Sequence, residues 1–378
     1  MSAKFGFSRL AVVCGGTGGH FFPGLSVART FKESGGEAKL FLSGRHAEAQ
    51  AAIAKKHGLD AVLIPSSQKP RNPLKAWPFL RDLALGTWRA RKAIRDFRPE
   101  AMLAMGSFAS VPSAFAALSM KVPIFLHEGN ARLGKANIFL SRFARHLGMA
   151  FPPVNSKSCR CPWSYTGMPV RPELMEKELG KADACVVLSQ TQGISFSPQK
   201  PLLLIFGGSQ GAETFNKNIP AGLKMLASPE LQVIHLSGAG HASAVRELYK
   251  EAPFNVLVLE KFDEMGLLYS AADLVFCRAG GSTLAELALF GRPAILVPYP
   301  YAADGHQDDN AAFHASSESA ELLANRECSA EQVSSLIGSW LAEPEIWREK
   351  GAKARRLAKP HAALEMLSII ECHTRPGL

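Results

Sequence analysis

Short apolar runs alternate with longer stretches whose apolar positions recur at helical spacing. Residues 10–14 (LAVVC), 39–42 (KLFL), 61–64 (AVLI), 102–105 (MLAM) and 123–127 (PIFLH) read as strands, and the segments between them as amphipathic helices. This alternation predicts a parallel sheet with helices on both faces, because parallel neighbours need a crossover whose apolar stripe must be buried. The pattern restarts at 202–206 (LLLIF) and continues through 231–236, 255–259, 274–277 and 294–297. Both series open with a strand running into a Gly-rich turn, LAVVCGGTGG and LLLIFGGSQG, so two doubly wound α/β domains are predicted. Residues 152–200, rich in Pro, Ser and Lys, read as a linker plus an irregular first piece of the second domain. After Ser329, Val333, Leu336, Ile337, Trp340 and Leu341 share one helical face, and residues 344–367 read as a basic helical stretch broken near Pro360. Residues 101–120 carry no charge over about the length of a bilayer span, but Gly106, Pro112 and four serines predict a buried strand, loop and helix instead.

Composition adjusts this picture in three ways. A chain of 378 residues, 47% apolar, can bury two ordinary cores. Seven cysteines include one C-x-C at 159–161 with no second pair at zinc-ligand spacing, which suggests reduced thiols in a cytoplasmic protein. The first residues lack the apolar region and small-residue cleavage site of an export signal. A formal charge of +10 suggests an anionic partner: nucleic acid, phospholipid or a phosphorylated substrate.

The glycine turns carry the candidate chemistry. A Gly-rich turn between strand and helix presents backbone N–H groups at the positive end of the helix dipole, which suits a phosphate or a developing anion. The dinucleotide fingerprint fails at Phe21, and no acid follows the second strand, where the chain reads LFLSGRH. Neither turn is followed by Gly-Lys-Ser/Thr, so a P-loop is excluded. The second turn places Ser209 before a helix. A third, CRAGGSTLAELALF, starts a helix at Gly280, Gly281, Ser282 and Thr283 with Glu286 in its second turn. A carboxylate there can accept two ribose hydroxyls, or simply be a solvated helix acid. The loop ADGHQDDNA follows a strand and offers His306, Gln307 and Asn310 to sugar hydroxyls, or is a helix start capped by Asp304.

Taken in order, GGTGGHFFPGLSVA, HEGNARLGKAN, TGMPVR, FGGSQGAETFN and RAGGSTLAELALFGRPAILVPYPYAADGHQDDNA resemble the motifs of the MurG family over about residues 10–310. The resemblance implies the GT-B glycosyltransferase fold, an α/β architecture of two Rossmann-like doubly wound parallel-sheet domains facing a cleft. It implies transfer of N-acetylglucosamine from UDP-N-acetylglucosamine to the muramyl 4-hydroxyl of lipid I, the undecaprenyl-diphosphate-linked muramyl pentapeptide, giving lipid II. Carried over by position, Ser209 meets the donor phosphate and Glu286 the uridine ribose, while Phe262 and Arg171 lie by the uracil. Gly280, Gly281, Ser282, Thr283, Leu284 and Ala285 line the nucleotide turn. His306, Gln307 and Asn130 are expected near the sugar, and Thr17, Gly18 and Gly19 form the acceptor-side turn. Gly129 stands where the family usually has glutamine, Met168 where it has asparagine, and Phe108 where tyrosine is frequent.

An inverting displacement of this kind needs a base for the attacking hydroxyl and positive potential for the departing diphosphate. Histidine, with an ordinary pKa of about 6.5, is a suitable proton acceptor, so His20 is the first candidate and Glu128 its rival. The plainer reading of His20 is a turn residue fixed by a backbone hydrogen bond. No D-x-D occurs, so neither a metal nor another cofactor is expected. Residues 69–98 hold nine Lys/Arg interleaved with Trp77, Phe79, Leu80, Leu83 and Trp88. Residues 132–145 add Ile138, Phe139, Leu140 and Phe143 among further basic residues. Such stretches suit an anionic membrane surface at the cytoplasmic face, or a core-facing stripe with a solvated basic back. The expected partners are therefore the donor, lipid I and that surface, and not nucleic acid. The expected domains are 1–168 on the acceptor side, 169–345 on the donor side, and a helical tail, 346–378, returning to the first. A UDP-N-acetylglucosamine epimerase of the same fold, or a nonenzymatic nucleotide-sugar-binding protein, would use the same turns.

Overall fold

The computed structural model describes residues 5–67, 76–176, 178–208 and 210–374. Contacts divide the chain into two units, Met1–Arg171 with Lys359–Leu378, and Pro172–Ala358.

The first unit runs β1 (Arg9–Gly15), α1 (Gly18–Glu33), β2 (Glu37–Ser43), α2 (Ala47–Lys56), β3 (Asp60–Leu63), α3 (Ala76–Phe97), β4 (Ala101–Ala104), α4 (Val111–Ser119), β5 (Ile124–Glu128), α5 (Lys135–Leu140), β6 (His146–Met149) and β7 (Trp163–Tyr165). All seven strands are parallel, in the order β3-β2-β1-β4-β5-β6-β7. The central strands are apolar throughout because helices cover both faces. One cluster joins Leu10, Val12, Phe31 and Leu103 to Phe125; the other face buries Val13, Ile94, Met102 and Leu126.

The second unit runs α6 (Pro172–Glu176), α7 (Lys181–Gln192), β8 (Leu202–Phe206), α8 (Glu213–Leu226), β9 (Gln232–Leu236), α9 (Ala242–Leu248), β10 (Asn255–Leu259), α10 (Met265–Ala271), β11 (Leu274–Cys277), α11 (Gly281–Phe290), β12 (Ala294–Leu296), α12 (His306–Ser316), β13 (Ala320–Leu322), α13 (Ala330–Ala342) and α14 (Pro344–Arg356). Its six parallel strands take the order β10-β9-β8-β11-β12-β13. The first strand of each sheet therefore lies between the second and fourth, and the order reverses between β1 and β4 and between β8 and β11. Open α/β sheets bind ligands at such reversals, beyond the carboxyl ends of the strands.

The ten predicted strands are all present. The linker reading of 152–200 needs correction: it contains β7, α6 and the twelve-residue α7. Strands β6 and β13 went unread, being short and, in β13, interrupted by Glu321. Residues 101–120 form β4, a 3₁₀ turn and α4, and no helix among the described residues is long and apolar enough to cross a membrane. α14, expected to open the tail, lies in the second unit, while α15 (Ala362–Thr374) belongs to the first and buries Met366, Leu367 and Ile370 in its core. Cys159 and Cys161 are free thiols whose sulfurs lie 3.8 Å apart.

Candidate active site

In the first unit the residues after β1 meet those after β4 and β5. Thr17 precedes α1 without capping it through its side chain, and Thr17, Gly18 and Gly19 are exposed. The leading N–H groups of the helix therefore open toward solvent, where an anion can take them. His20, half-buried in the first turn of α1, directs Nδ1 at Met105 O, 2.8 Å away, just past β4. A carbonyl only accepts, so in the neutral ring Nδ1 carries the proton and Nε2 keeps its lone pair. The backbone hydrogen bond of the plainer reading thus exists, and it creates the tautomer a base requires. Gly106 makes the approach feasible: its φ is +88°, and a Cβ there would lie 3.5 Å from the His20 ring and 3.3 Å from Asn137 Nδ2.

Glu128 ends β5 buried, and its carboxylate is enclosed by donors. Oε1 accepts from Asn130 N at 3.2 Å and Asn130 Nδ2 at 3.1 Å; Oε2 accepts from Gly134 N at 2.9 Å and Asn137 Nδ2 at 3.0 Å. Asn137 also reaches His127 O, at 3.0 Å. The four bonds match the roughly four lone-pair sites of a carboxylate, so Glu128 organises the 128–137 turn. Next door, burial pushes the His127 imidazole down to about 4, and the nearby His20 acts in the same direction. The two unusual residues Gly129 and Met168 occupy one place: a Cβ at 129 would come within 2.9 Å of Met168 Cε, and Met168 is buried. Arg171 closes the unit with its guanidinium 5.0 Å from the Phe22 ring. Phe108 is exposed at the 3₁₀ turn after β4.

In the second unit, β11 runs into Gly280 and α11. The first N–H groups of α11 have no intrahelical partner. Ser282 Oγ is buried beside them with no hydrogen-bond partner among the described residues. Leu284 is buried in the packing, Thr283 and Ala285 are half-buried, and Glu286 receives the Tyr269 hydroxyl on Oε2 at 2.8 Å. Fully buried Asn310 donates to Ala279 O at 3.1 Å, tying α12 to the 278–281 turn. His306 points Nδ1 at Ala303 O, 2.7 Å away, and Gln307 Oε1 accepts from Tyr299 N at 2.9 Å. Arg278 braces this loop through Val297 O, Pro298 O and Asn325 Oδ1, with its guanidinium 4.6 Å from the Phe215 ring. Phe262 is half-buried in the connection before α10. Ser209 lies outside the described residues. Among those residues no three His, Cys, Asp or Glu side chains come together as a metal site would require.

Sequence reasoning did not find Met105, Asn137, Tyr269 or Arg278. Met105 acts through a carbonyl that any residue supplies, and the other three read as ordinary helix or strand-end residues. Only the polar character of Asn137 and Arg278 beside glycine turns could have signalled them.

Comparison with known proteins identifies the family. Residues 10–149 match the glycosyltransferase family 28 N-terminal domain and residues 202–366 its C-terminal domain. The UDP-N-acetylglucosamine–N-acetylmuramyl-(pentapeptide) pyrophosphoryl-undecaprenol N-acetylglucosamine transferase of Psychromonas ingrahamii is 35% identical over 361 residues, 95% of this chain and 97% of the relative. The enzyme of that name from Ectopseudomonas mendocina is 36% identical over 365 residues, again 95% and 97%. The crystal structure of Acinetobacter baumannii MurG superposes with a TM-score of 0.77 at 28% identity, covering 97% of this chain and 99% of that one. A UDP-GlcNAc 2-epimerase from Neisseria meningitidis, TM-score 0.68 with 97% of this chain and 100% of that one covered, shares the fold at 13% identity. Two Rossmann-like parallel sheets, the glycine turns at their reversals and relatives matching nearly end to end place the chain in glycosyltransferase family 28, as a member of the MurG family.

Proposed function

We propose that this protein transfers N-acetylglucosamine from UDP-N-acetylglucosamine to the 4-hydroxyl of the muramyl residue of an undecaprenyl-diphosphate-linked muramyl pentapeptide, inverting the anomeric carbon. The attacking oxygen bonds to C1 as the C1–O bond to UDP breaks. The hydroxyl proton passes to His20 Nε2, and UDP leaves carrying the negative charge. The observation that carries this assignment is the His20–Met105 hydrogen bond, which leaves Nε2 as the acceptor. Glu128, with four N–H donors on its carboxylate, is a positioning residue for the acceptor turn and for Asn130.

On the donor side, the N-terminus of α11 with Ser282 receives the diphosphate, Glu286 the ribose hydroxyls and Phe262 the uracil, while His306 and Gln307 face the sugar. Helix N–H groups and the helix dipole stabilise the charge developing on the leaving group.

The first unit also docks on an anionic membrane. In α3, Phe79 and Leu83 are half-buried and Ile94 faces the core, but Trp77 is 76%, Leu80 51% and Trp88 61% exposed, beside exposed Arg81, Arg89, Lys92 and Arg95. The second stretch divides likewise: Leu140 is core, Ile138 is half-buried, and Phe139 and Phe143 are exposed with Arg142 and Arg145. Large exposed apolar residues ringed by cations fit a lipid interface better than a solvated helix back.

Incubation with UDP-N-acetylglucosamine and a lipid I analogue tests the reading. A β-1,4-linked disaccharide product is expected. Release of the 2-epimer from the donor alone, or donor binding without turnover, would replace this reading with the epimerase or the binding protein.

A further inference from the structure

We infer that Tyr269 is the positioning residue for the donor-ribose carboxylate: it holds Glu286 in the orientation that reads the ribose hydroxyls. The inference rests on the proposal that Glu286 receives the ribose. The Tyr269 hydroxyl donates to Glu286 Oε2 at 2.8 Å, and its side chain is buried at 1% exposure. The ring packs against Phe206, at the end of β8, with centroids 6.2 Å apart, and against Phe290, the last residue of α11, at 5.3 Å. Its phenol is thus set by the β8 end and by the helix that carries Glu286. A group so enclosed acts through its partner rather than on the substrate itself.

The consequence is chemical. A carboxylate has about four lone-pair directions, and fixing one on a rigid phenol aims the others. Two vicinal ribose hydroxyls need both a carboxylate and a fixed plane, because a freely rotating glutamate satisfies them only after losing its rotamer freedom on binding. Pre-ordering such a side chain is worth about three- to tenfold in affinity.

Tyr269→Phe removes the oxygen and keeps the ring. The variant is expected to raise the KM for UDP-N-acetylglucosamine about three- to tenfold with kcat within about twofold, the range set by the ordering cost of one side chain. Its preference for UDP over 2′-deoxy-UDP, measured as the ratio of inhibition constants, should fall by a similar factor. Glu286→Ala should lose the same preference, and adding Tyr269→Phe to it should change neither KM nor preference further. A purely structural defect would lower the active fraction, and so kcat, together with the thermal midpoint, while leaving KM and the 2′-hydroxyl preference as they are; that result overturns the inference. Wild-type KM and preference in Tyr269→Phe, with both lost in Glu286→Ala, would also overturn it and leave the ribose assignment standing. Unchanged preference in Glu286→Ala would remove the ribose assignment and the positioning role together.

Discussion

His20 and Glu128 are both side chains that could take a proton, and their hydrogen bonds separate them. The imidazole gives its Nδ1 proton to a carbonyl and keeps Nε2 open, whereas the carboxylate meets an N–H donor in every direction. His20→Ala is therefore expected to lower kcat by about 10²- to 10⁴-fold, the usual worth of a positioned base, with little change in the KM for UDP-N-acetylglucosamine. Near-normal kcat in that variant would end the assignment. Glu128→Gln puts an NH₂ against groups that already donate, leaving buried N–H groups unsatisfied at a cost of about 1–3 kcal/mol each. Its signature should be a thermal midpoint lowered by several degrees, with loss of acceptor binding. If Glu128 were the base, the same variant would also lose kcat at saturating acceptor, by far more than its lowered midpoint accounts for. Neither outcome could be read from the motifs HEGN and GGTGGH: the partner of His20, Met105, is 85 residues away and is brought near by the sheet order, and Asn137, although close in sequence, reaches Glu128 only through the fold of the 128–137 turn.

At the level of elements, strands and glycine turns were legible because a buried parallel strand must be apolar at every position and a ligand turn must shed its side chains. What escaped is short or mixed: β6, β7 and β13 have four residues or fewer, and α7 has no pronounced apolar face for a periodicity to catch. Helix α3 was legible as amphipathic but not as to which face looks inward. Its periodic positions fall on two faces, Ala90 and Ile94 buried and Trp77, Leu80 and Trp88 exposed. Tryptophans left in water on a basic helix gain by entering a lipid interface, and each should contribute about tenfold to partitioning, for an interfacial gain of about 1.4 kcal/mol. Trp77→Ala with Trp88→Ala is thus expected to reduce sedimentation with anionic liposomes about a hundredfold while leaving the melting temperature near that of the wild type, because no core contact is removed. Added salt should weaken wild-type binding as the cations are screened. Equal sedimentation of variant and wild type would assign these tryptophans another role.

For the molecule as a whole, the pH dependence of folding is set inside, by buried histidines. Burial lowers His127 to about 4 in the first unit, and His235 to about 3 and His314 to about 4 in the second. Each has partners that suit a neutral ring: His127 Nε2 meets Gly167 O, His235 lies between Tyr249 Oη and Asn216 Oδ1, and His314 Nδ1 meets Ser319 Oγ. In the unfolded chain all three would titrate near the ordinary value of about 6.5. Between about 6.5 and these lowered values the unfolded chain binds protons that the folded protein refuses, so stability falls with pH throughout that window and is fully present only above it. At pH 5 each of these three histidines removes on the order of 2 kcal/mol, and His146 in the first unit, lowered by burial and by neighbouring His373, adds to the loss. Thermal denaturation should therefore show midpoints falling steadily from pH 7 to pH 5 in both units, each followed by an intrinsic or attached probe. His235→Gln, which removes a titrating ring from the second unit, should flatten the slope for that unit alone. A midpoint independent of pH over this range, or an equal slope in the variant, would show that the buried imidazoles do not govern the acid response.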